Sequence, residues 1–469
     1  MHVARKTVLS LALIAAAFAL AAAPAFGASV PVEKGVAKPT QFAAAKTCAC
    51  HTTFQQEWSQ SMHAKALVDP IYRVKVAEAD AASDGKLGPF CDTCHGPVAT
   101  MGGEIGAPTM SESSADAIGC SFCHQITGNH GEPGNTSQLV ETDGVRRAQL
   151  KDPKAPHPAA YSEFHTKAEL CGGCHNVNHP INGLHLESTY SEWKKGPYAA
   201  AGTQCQDCHM SETPGTIGPS KGVAGNGGPQ RDNLYHMSFA GGQVALGNPE
   251  LATARLKSAA IITVDGAQIV EPGKDASVTV TVTNSGAGHY LPTGLTEVRK
   301  MWLEIYATGA DGKRVKLGER HFGTILGDDK GKAPVELWEA TKIKSDDRIP
   351  PKGSVTESVT FSMPEGAEQG SVQAVLCYQS VPDELAAKAK VDNPTTEMAA
   401  GNLDVYASQS LKAAAEAKKA AEEKAAAAAA AANTPAKRGM SPMLWAALGA
   451  AVVALLAVVA LLFARNGDS

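Results

Sequence analysis

Four pentapeptides constrain this chain more than anything else in it. Cys91-Asp92-Thr93-Cys94-His95, Cys120-Ser121-Phe122-Cys123-His124, Cys171-Gly172-Gly173-Cys174-His175 and Cys205-Gln206-Asp207-Cys208-His209 all read C-x-x-C-H. A shortened relative, Cys48-Ala49-Cys50-His51, precedes them. Two cysteines at this spacing can add to the two vinyl groups of one haem, and the histidine that follows then lies under the iron as proximal ligand. Paired C-x-x-C motifs can also make a zinc ribbon. Zinc, however, needs no histidine after every pair, and it does not suit an exported chain with five such pairs. The reading is therefore five haem c groups, attached through Cys48, Cys50, Cys91, Cys94, Cys120, Cys123, Cys171, Cys174, Cys205 and Cys208. His51, His95, His124, His175 and His209 are the expected proximal ligands. The first motif lacks one residue, which shortens its reach by up to ~3.5 Å. A fifth haem is expected there, held more securely by Cys50. The alternative is a four-haem protein with Cys48 and Cys50 free or paired with each other.

The thiol count agrees with export. Ten of the eleven cysteines lie in these motifs, leaving Cys377; no disulfide framework remains, as expected where thiols are consumed as thioethers. Residues 1–27 read as a secretory signal. Arg5 and Lys6 are followed by an apolar stretch over residues 8–23 and by a small-residue cleavage site, Ala23-Pro24-Ala25 or Ala25-Phe26-Gly27. A second apolar run, residues 443–464, carries no charge. At ~1.5 Å rise per residue it spans about 33 Å, enough for a hydrocarbon core of about 30 Å. It is expected to be a transmembrane helix within residues 441–465, with residues 466–469 as the cytoplasmic tail. Lys437 and Arg438 on the outer side run against the positive-inside rule; the export signal decides the orientation. The expected location is the inner membrane, single-pass, with the haem domain on the periplasmic side. A net charge of -5 gives no sign of a nucleic-acid partner.

The expected fold is multidomain. Residues 28–245 form a mainly helix-and-loop multihaem cytochrome c domain, in which porphyrins replace much of the apolar core. Helical patches fall at residues 54–67 and 189–200, and the Gly-rich run 215–228 reads as loop. Near residue 259 the composition changes. Val278, Val280 and Val282 alternate with Thr279, Thr281 and Thr283, and residues 302–306, 355–363 and 372–378 repeat the theme. An antiparallel β-sandwich over residues 246–382 follows, with Cys377 a buried small hydrophobe. Residues 383–440 are a helical, low-complexity spacer. In it Lys418/Glu422 and Lys419/Glu423 stand at i,i+4.

Low-spin haems in such chains usually take a second histidine. Besides the proximal five and His2, nine remain: His63, His130, His157, His165, His179, His185, His236, His289 and His321. Several stretches sharpen the choice. Cys48-Ala49-Cys50-His51 is followed by Trp58-Ser59-Gln60-Ser61-Met62-His63-Ala64. Later come Thr189-Tyr190-Ser191-Glu192-Trp193, Cys205-Gln206-Asp207-Cys208-His209-Met210 and His236-Met237-Ser238-Phe239-Ala240-Gly241-Gly242. Together they resemble the multihaem family around the tetrahaem cytochrome that serves hydroxylamine oxidoreductase. Gly288-His289-Tyr290-Leu291-Pro292-Thr293-Gly294 and Asp347-Arg348-Ile349-Pro350-Pro351 are similar to the sandwich domain that often follows in such proteins. The resemblance covers residues 48–378, and it implies His63 and His236 as the best distal ligands. His165 is next, with His157 its competitor, then His130, His179 and His289, the last reaching a haem across the domain boundary. His185 and His321 are expected non-ligands, and Met210 and Met237 poorer candidates.

The expected function is electron transfer between a quinol-oxidising membrane complex and soluble or outer-membrane cytochromes. The competing reading is a haem oxidoreductase acting on a small nitrogen or sulfur compound at one five-coordinate iron. A third treats the sandwich as a docking module for a partner cytochrome.

Overall fold

The structure, a computed structural model, describes residues 29–309 and 312–433. The expected signal segment and the apolar run 443–464 lie outside the described residues. Among the described residues no helix is long and apolar enough to cross a membrane.

The N-terminal region is built of short helices, and the C-x-x-C-H motifs sit on them. Cys91 to His95 close the helix Leu87–His95, Cys120–Cys123 is a helix capped by His124, Cys205–His209 holds the last motif, and Glu169–Gly172 carries Cys171 with Cys174 and His175 in the turn that follows. One helical turn places cysteines at i and i+3 on a common face, which is why the motif favours this conformation. The shortened motif instead forms a 3₁₀ turn, Ala49–His51, leading into the helix Thr52–Gln60. The tighter turn fits a motif one residue short. A further helix, Pro70–Ala82, was not expected from the sequence. Asp69 caps it by accepting from the Ile71 N–H at 2.8 Å, Pro70 occupies its first turn, and Ile71, Tyr72, Val76 and Ala79 form its buried stripe. The run 215–228 is also not all loop, because Ser220–Val223 pairs antiparallel with Gln230–Leu234.

The C-terminal region is the expected sandwich. Its strands are β1 (Ile261–Gly266), β2 (Asp275–Thr283), β3 (Lys300–Gly309), β4 (Arg314–Phe322), β5 (Thr324–Gly327), β6 (Lys342–Asp346), β7 (Ser354–Ser362), β8 (Gln369–Gln379) and β9 (Thr396–Tyr406). One sheet runs β1-β2-β7, the other β4-β3-β8-β9, and β5-β6 form a separate ribbon. Val278, Val280 and Val282 on β2 are fully buried against Met301, Leu303 and Ile305 of β3 and Val372, Ala374 and Leu376 of β8. Cys377 is buried on the other face of β8 with Trp302 and Val375.

The expected boundary at residue 382 falls short of the structure. After the helix Asp383–Ala389 the chain returns as β9, paired along the length of β8. Its alternation is broken: Thr396 and Met398 are buried, then Leu403 and Val405, so the phase slips by one residue. A bulge opposite Leu376/Cys377 causes the slip, and the weak strand formers Ala399-Ala400-Gly401-Asn402 complete the disguise. The spacer helix begins later than expected, at Gln409, and continues to Asn433.

Candidate haem centres

All ten motif cysteines and all five motif histidines line one connected cavity of about 1430 Å³. That exceeds the ~300–1,000 Å³ of a site for one small ligand. The chain's own apolar side chains do not fill the space, and the residues around it belong to several small clusters rather than one core.

Each motif histidine presents its ring in the same way. Nδ1 is committed to an acceptor: Ala224 O for His51 (2.5 Å), Ala66 O for His95 (2.9 Å), Arg147 O for His124 (2.7 Å), Ala240 O for His209 (2.8 Å) and Glu187 Oε1 for His175 (3.2 Å). Donating from Nδ1 fixes the tautomer and leaves the Nε2 lone pair free for a metal. Burial pushes His209 down to about 4 and lowers His95 and His124, so these rings are neutral and ready to ligate. Burial would depress His175 too, but the Glu187 hydrogen bond and charge hold it up at about 9.

Four of the five then face a second imidazole. Ring centroids lie 6.3 Å apart for His51 and His157, 5.9 Å for His124 and His165, 6.3 Å for His175 and His63, and 6.1 Å for His209 and His289. Two metal–nitrogen bonds of ~2 Å, plus ~1 Å from each nitrogen to its ring centre, require about 6 Å. Direct stacking would be closer, so each gap is the width of one ligated metal. Burial pushes His63 down to about 3 and His165 to about 4, again favouring the neutral form. His165 Nδ1 is buried without a partner, while its Nε2 lies 3.1 Å from Cys123 O. His95 differs. Its ring stacks at 3.7 Å on Tyr72, whose hydroxyl donates to Asp92 (2.6 Å), and no imidazole faces it among the described residues.

The remaining expected partners are directed elsewhere. His236 has both ring nitrogens engaged by side chains: its Nδ1 lies 2.6 Å from Glu57 Oε1 and its Nε2 3.0 Å from Ser220 Oγ. His179 is buried, with Nδ1 accepting from the Ile181 N–H (3.2 Å) and Nε2 3.4 Å from Trp338 O. His130 is exposed and faces no motif histidine among the described residues. His185 is exposed, and His321 pairs with Glu319 on the outside of the sandwich. His157, set against His165 in the sequence, has its own partner. No local signal in the sequence pointed to the pairing with His51.

Cysteines of different motifs also meet. Cys48 lies within hydrogen-bonding reach of Cys120, Cys94 of Cys174, and Cys171 of Cys205. Two cations complete the cavity wall. Arg146 Nη1 and Arg255 Nε are buried without a partner, and burial lowers both guanidinium groups. Arg255 Nη2 donates to Cys208 O and Ser211 Oγ, so each cation leaves a single buried nitrogen open; half-buried cations lining a cavity suit a ligand that carries carboxylates, as haem does through its propionates. Cysteine pairs, free imidazole nitrogens, paired rings and cations lining the cavity thus all fit haem c.

Comparison with known proteins agrees with this geometry. Residues 47–125 match the family model described as cytochrome c554 and c-prime. Among solved structures, a penta-heme cytochrome c552 from Thermochromatium tepidum superposes with a TM-score of 0.58 at 20% identity, covering 80% of this chain and 100% of that one. The shared fold therefore extends well beyond the matched family segment. The CARDB domain of PF1109 from Pyrococcus furiosus aligns over 31% of this chain and 85% of that one at 13% identity, with a TM-score of 0.17 that carries no argument. Among curated proteins no match was found.

Proposed function

We propose that this chain is an electron-transfer cytochrome with five haem c groups, four of them ligated by two histidines. The observation that carries the proposal is the set of four imidazole pairs with centroids 5.9–6.3 Å apart. Haem c supplies reversible one-electron chemistry. Each facing pair of imidazoles would hold one haem from both sides and keep small ligands out, which suits conduction rather than catalysis. The ligand pairs are His51/His157, His124/His165, His175/His63 and His209/His289. Cysteine contacts between motifs group the haem sites: the first motif meets the third, and the fourth meets both the second and the fifth. Anchored by residues 441–465 on the outer face of the inner membrane, the chain would pass electrons from a quinol-oxidising complex to soluble or outer-membrane cytochromes.

A second reading rests on His95, which has no facing imidazole among the described residues. One open iron there would bind a small nitrogen or sulfur compound. EPR of the oxidised protein together with carbon monoxide titration separates the readings. Four low-spin irons and one that binds carbon monoxide would fit conduction with one open site. Five low-spin irons unreactive to carbon monoxide leave conduction alone. Two or more open irons would overturn the pairing scheme.

A further inference from the structure

Three stretches far apart in sequence meet at one point between the two domains. Residues 189–193, 288–294 and 347–351 have no haem motif, yet they are packed around a single buried ion pair. Glu192 and Arg348 form it, with side chains only 6% and 8% exposed. The second oxygen of Glu192, Oε2, accepts from the Tyr290 N–H at 3.0 Å and from the Thr293 hydroxyl at 2.7 Å. Thr189 lies 2.9 Å from that same Thr293 hydroxyl. Arg348 continues the network, held by both oxygens of Asp346 at 2.8 Å and lying 5.0 Å over the Tyr290 ring. Leu291 and Ile349 exchange two backbone hydrogen bonds of 2.9 Å, tying the second stretch to the third.

The loop gripped in this way carries His289. Its Nδ1 donates to Tyr290 O at 2.9 Å, while its own carbonyl accepts from Asn284 Nδ2 at 2.8 Å. Tyr290 is therefore held through its N–H by the haem domain and orients His289 through its carbonyl. The ring of His289 faces His209, which belongs to the other domain. A ligand supplied across a domain boundary stays in place only if the boundary is rigid, because a shift of about 1 Å would lengthen a ~2 Å bond out of range.

We infer that the Glu192–Arg348 pair is a positioning clamp that locks the sandwich to the haem domain and keeps His289 on the sixth position of the His209 haem. The inference rests on the ligand pairing proposed above. A charge pair of this burial is suited to the role, since removing one partner leaves the other charge buried and unpaired. The two domains are then coupled: loosening the junction opens one iron and leaves the other four untouched.

The experiment uses the full haem-loaded chain and three variants. His289→Ala should add one carbon monoxide-reactive, high-spin iron to those of the parent. Glu192→Gln keeps the shape but removes the charge. It should leave the haem count unchanged while the same iron takes carbon monoxide at about tenfold or more lower concentration than in the parent. Thr293→Val, which removes only the hydroxyl contact, should move the same iron by a smaller amount. If Glu192→Gln yields no soluble protein, Thr293→Val decides. Parent-like spin state and carbon monoxide titration in Glu192→Gln and Thr293→Val, alongside an opened iron in His289→Ala, would overturn the clamp and leave the ligand pairing intact. Loss of low-spin signal at several irons in these two variants would also overturn it, as a general folding defect. No opened iron in His289→Ala would remove the pairing and the clamp together.

Discussion

Glu187 offers the sharpest test of how the protein tunes one haem. Its Oε1 lies 3.2 Å from His175 Nδ1, and its side chain is 15% exposed. Burial opposes ionisation of Glu187, but the His175 hydrogen bond and charge overcome it and hold the carboxyl below its ordinary value. The negative charge thus sits behind the His175 imidazole, where it would stabilise oxidised over reduced iron in a haem held there. Adding ~2 Å across the ring and ~2 Å of metal–nitrogen bond puts the charge about 7 Å from the iron. At an effective dielectric of about 20 the interaction is ~2.4 kcal/mol. On a one-electron scale of 59 mV per tenfold, that is about 100 mV. Glu187→Gln keeps a hydrogen-bond acceptor and removes the charge, so one midpoint potential should rise by about 50–100 mV, the lower figure allowing for added water. A spectroelectrochemical titration at neutral pH resolves the midpoints, and EPR at poised potentials assigns the shifted one by its loss in His63→Ala. The reasoning fails if no midpoint rises by more than about 20 mV.

Three other outcomes are expected. Intact mass of the denatured protein should show five covalent haems, and Cys48→Ser should still carry five because Cys50 remains; four in the parent would refute use of the short motif. His63→Ala should leave every haem attached and open the His175 iron, read as one additional carbon monoxide-binding site. His236→Ala should leave all spin states unchanged, since Glu57 and Ser220 occupy both ring nitrogens, and should lower stability by about 1–3 kcal/mol in thermal denaturation. A new high-spin signal would instead return His236 to the ligand set.

The proposed proximal sites are readable in the sequence because a haem-attachment motif is local. Two cysteines and a histidine within five residues specify a haem site before any tertiary contact forms. Distal ligation is the opposite case. Under the proposed pairing His63 precedes His175 by 112 positions, and His289 follows His209 by 80. Nothing in the residues around either histidine encodes the partner, which is set by how the cavity closes. His236 stands beside a familiar-looking stretch, yet its Nδ1 is engaged by Glu57, on a helix 179 positions upstream, a contact that its neighbours in sequence do not encode. In the sandwich, β2 was legible from strict Val/Thr alternation with complete burial of the valines. β9 was not, because its bulge reverses the buried phase midway.

The fourth motif touches two others through its cysteines. Cys174 meets Cys94 of the second motif, and Cys171 meets Cys205 of the fifth. Under the proposed pairing, electrons moving between the His95 and His209 sites have the His175 site between them. That same site has the only carboxylate among the five proximal hydrogen-bond acceptors; the other four are backbone carbonyls. A backbone carbonyl cannot be removed by mutation or titration, whereas a carboxylate sets its haem's potential independently of the others. A branch point is where one adjustable potential has most leverage, since raising it makes a trap for every path and lowering it makes a barrier. Replacing Glu187 should therefore slow transfer between the two ends, while replacing a residue beside the His51 haem should leave that exchange unchanged.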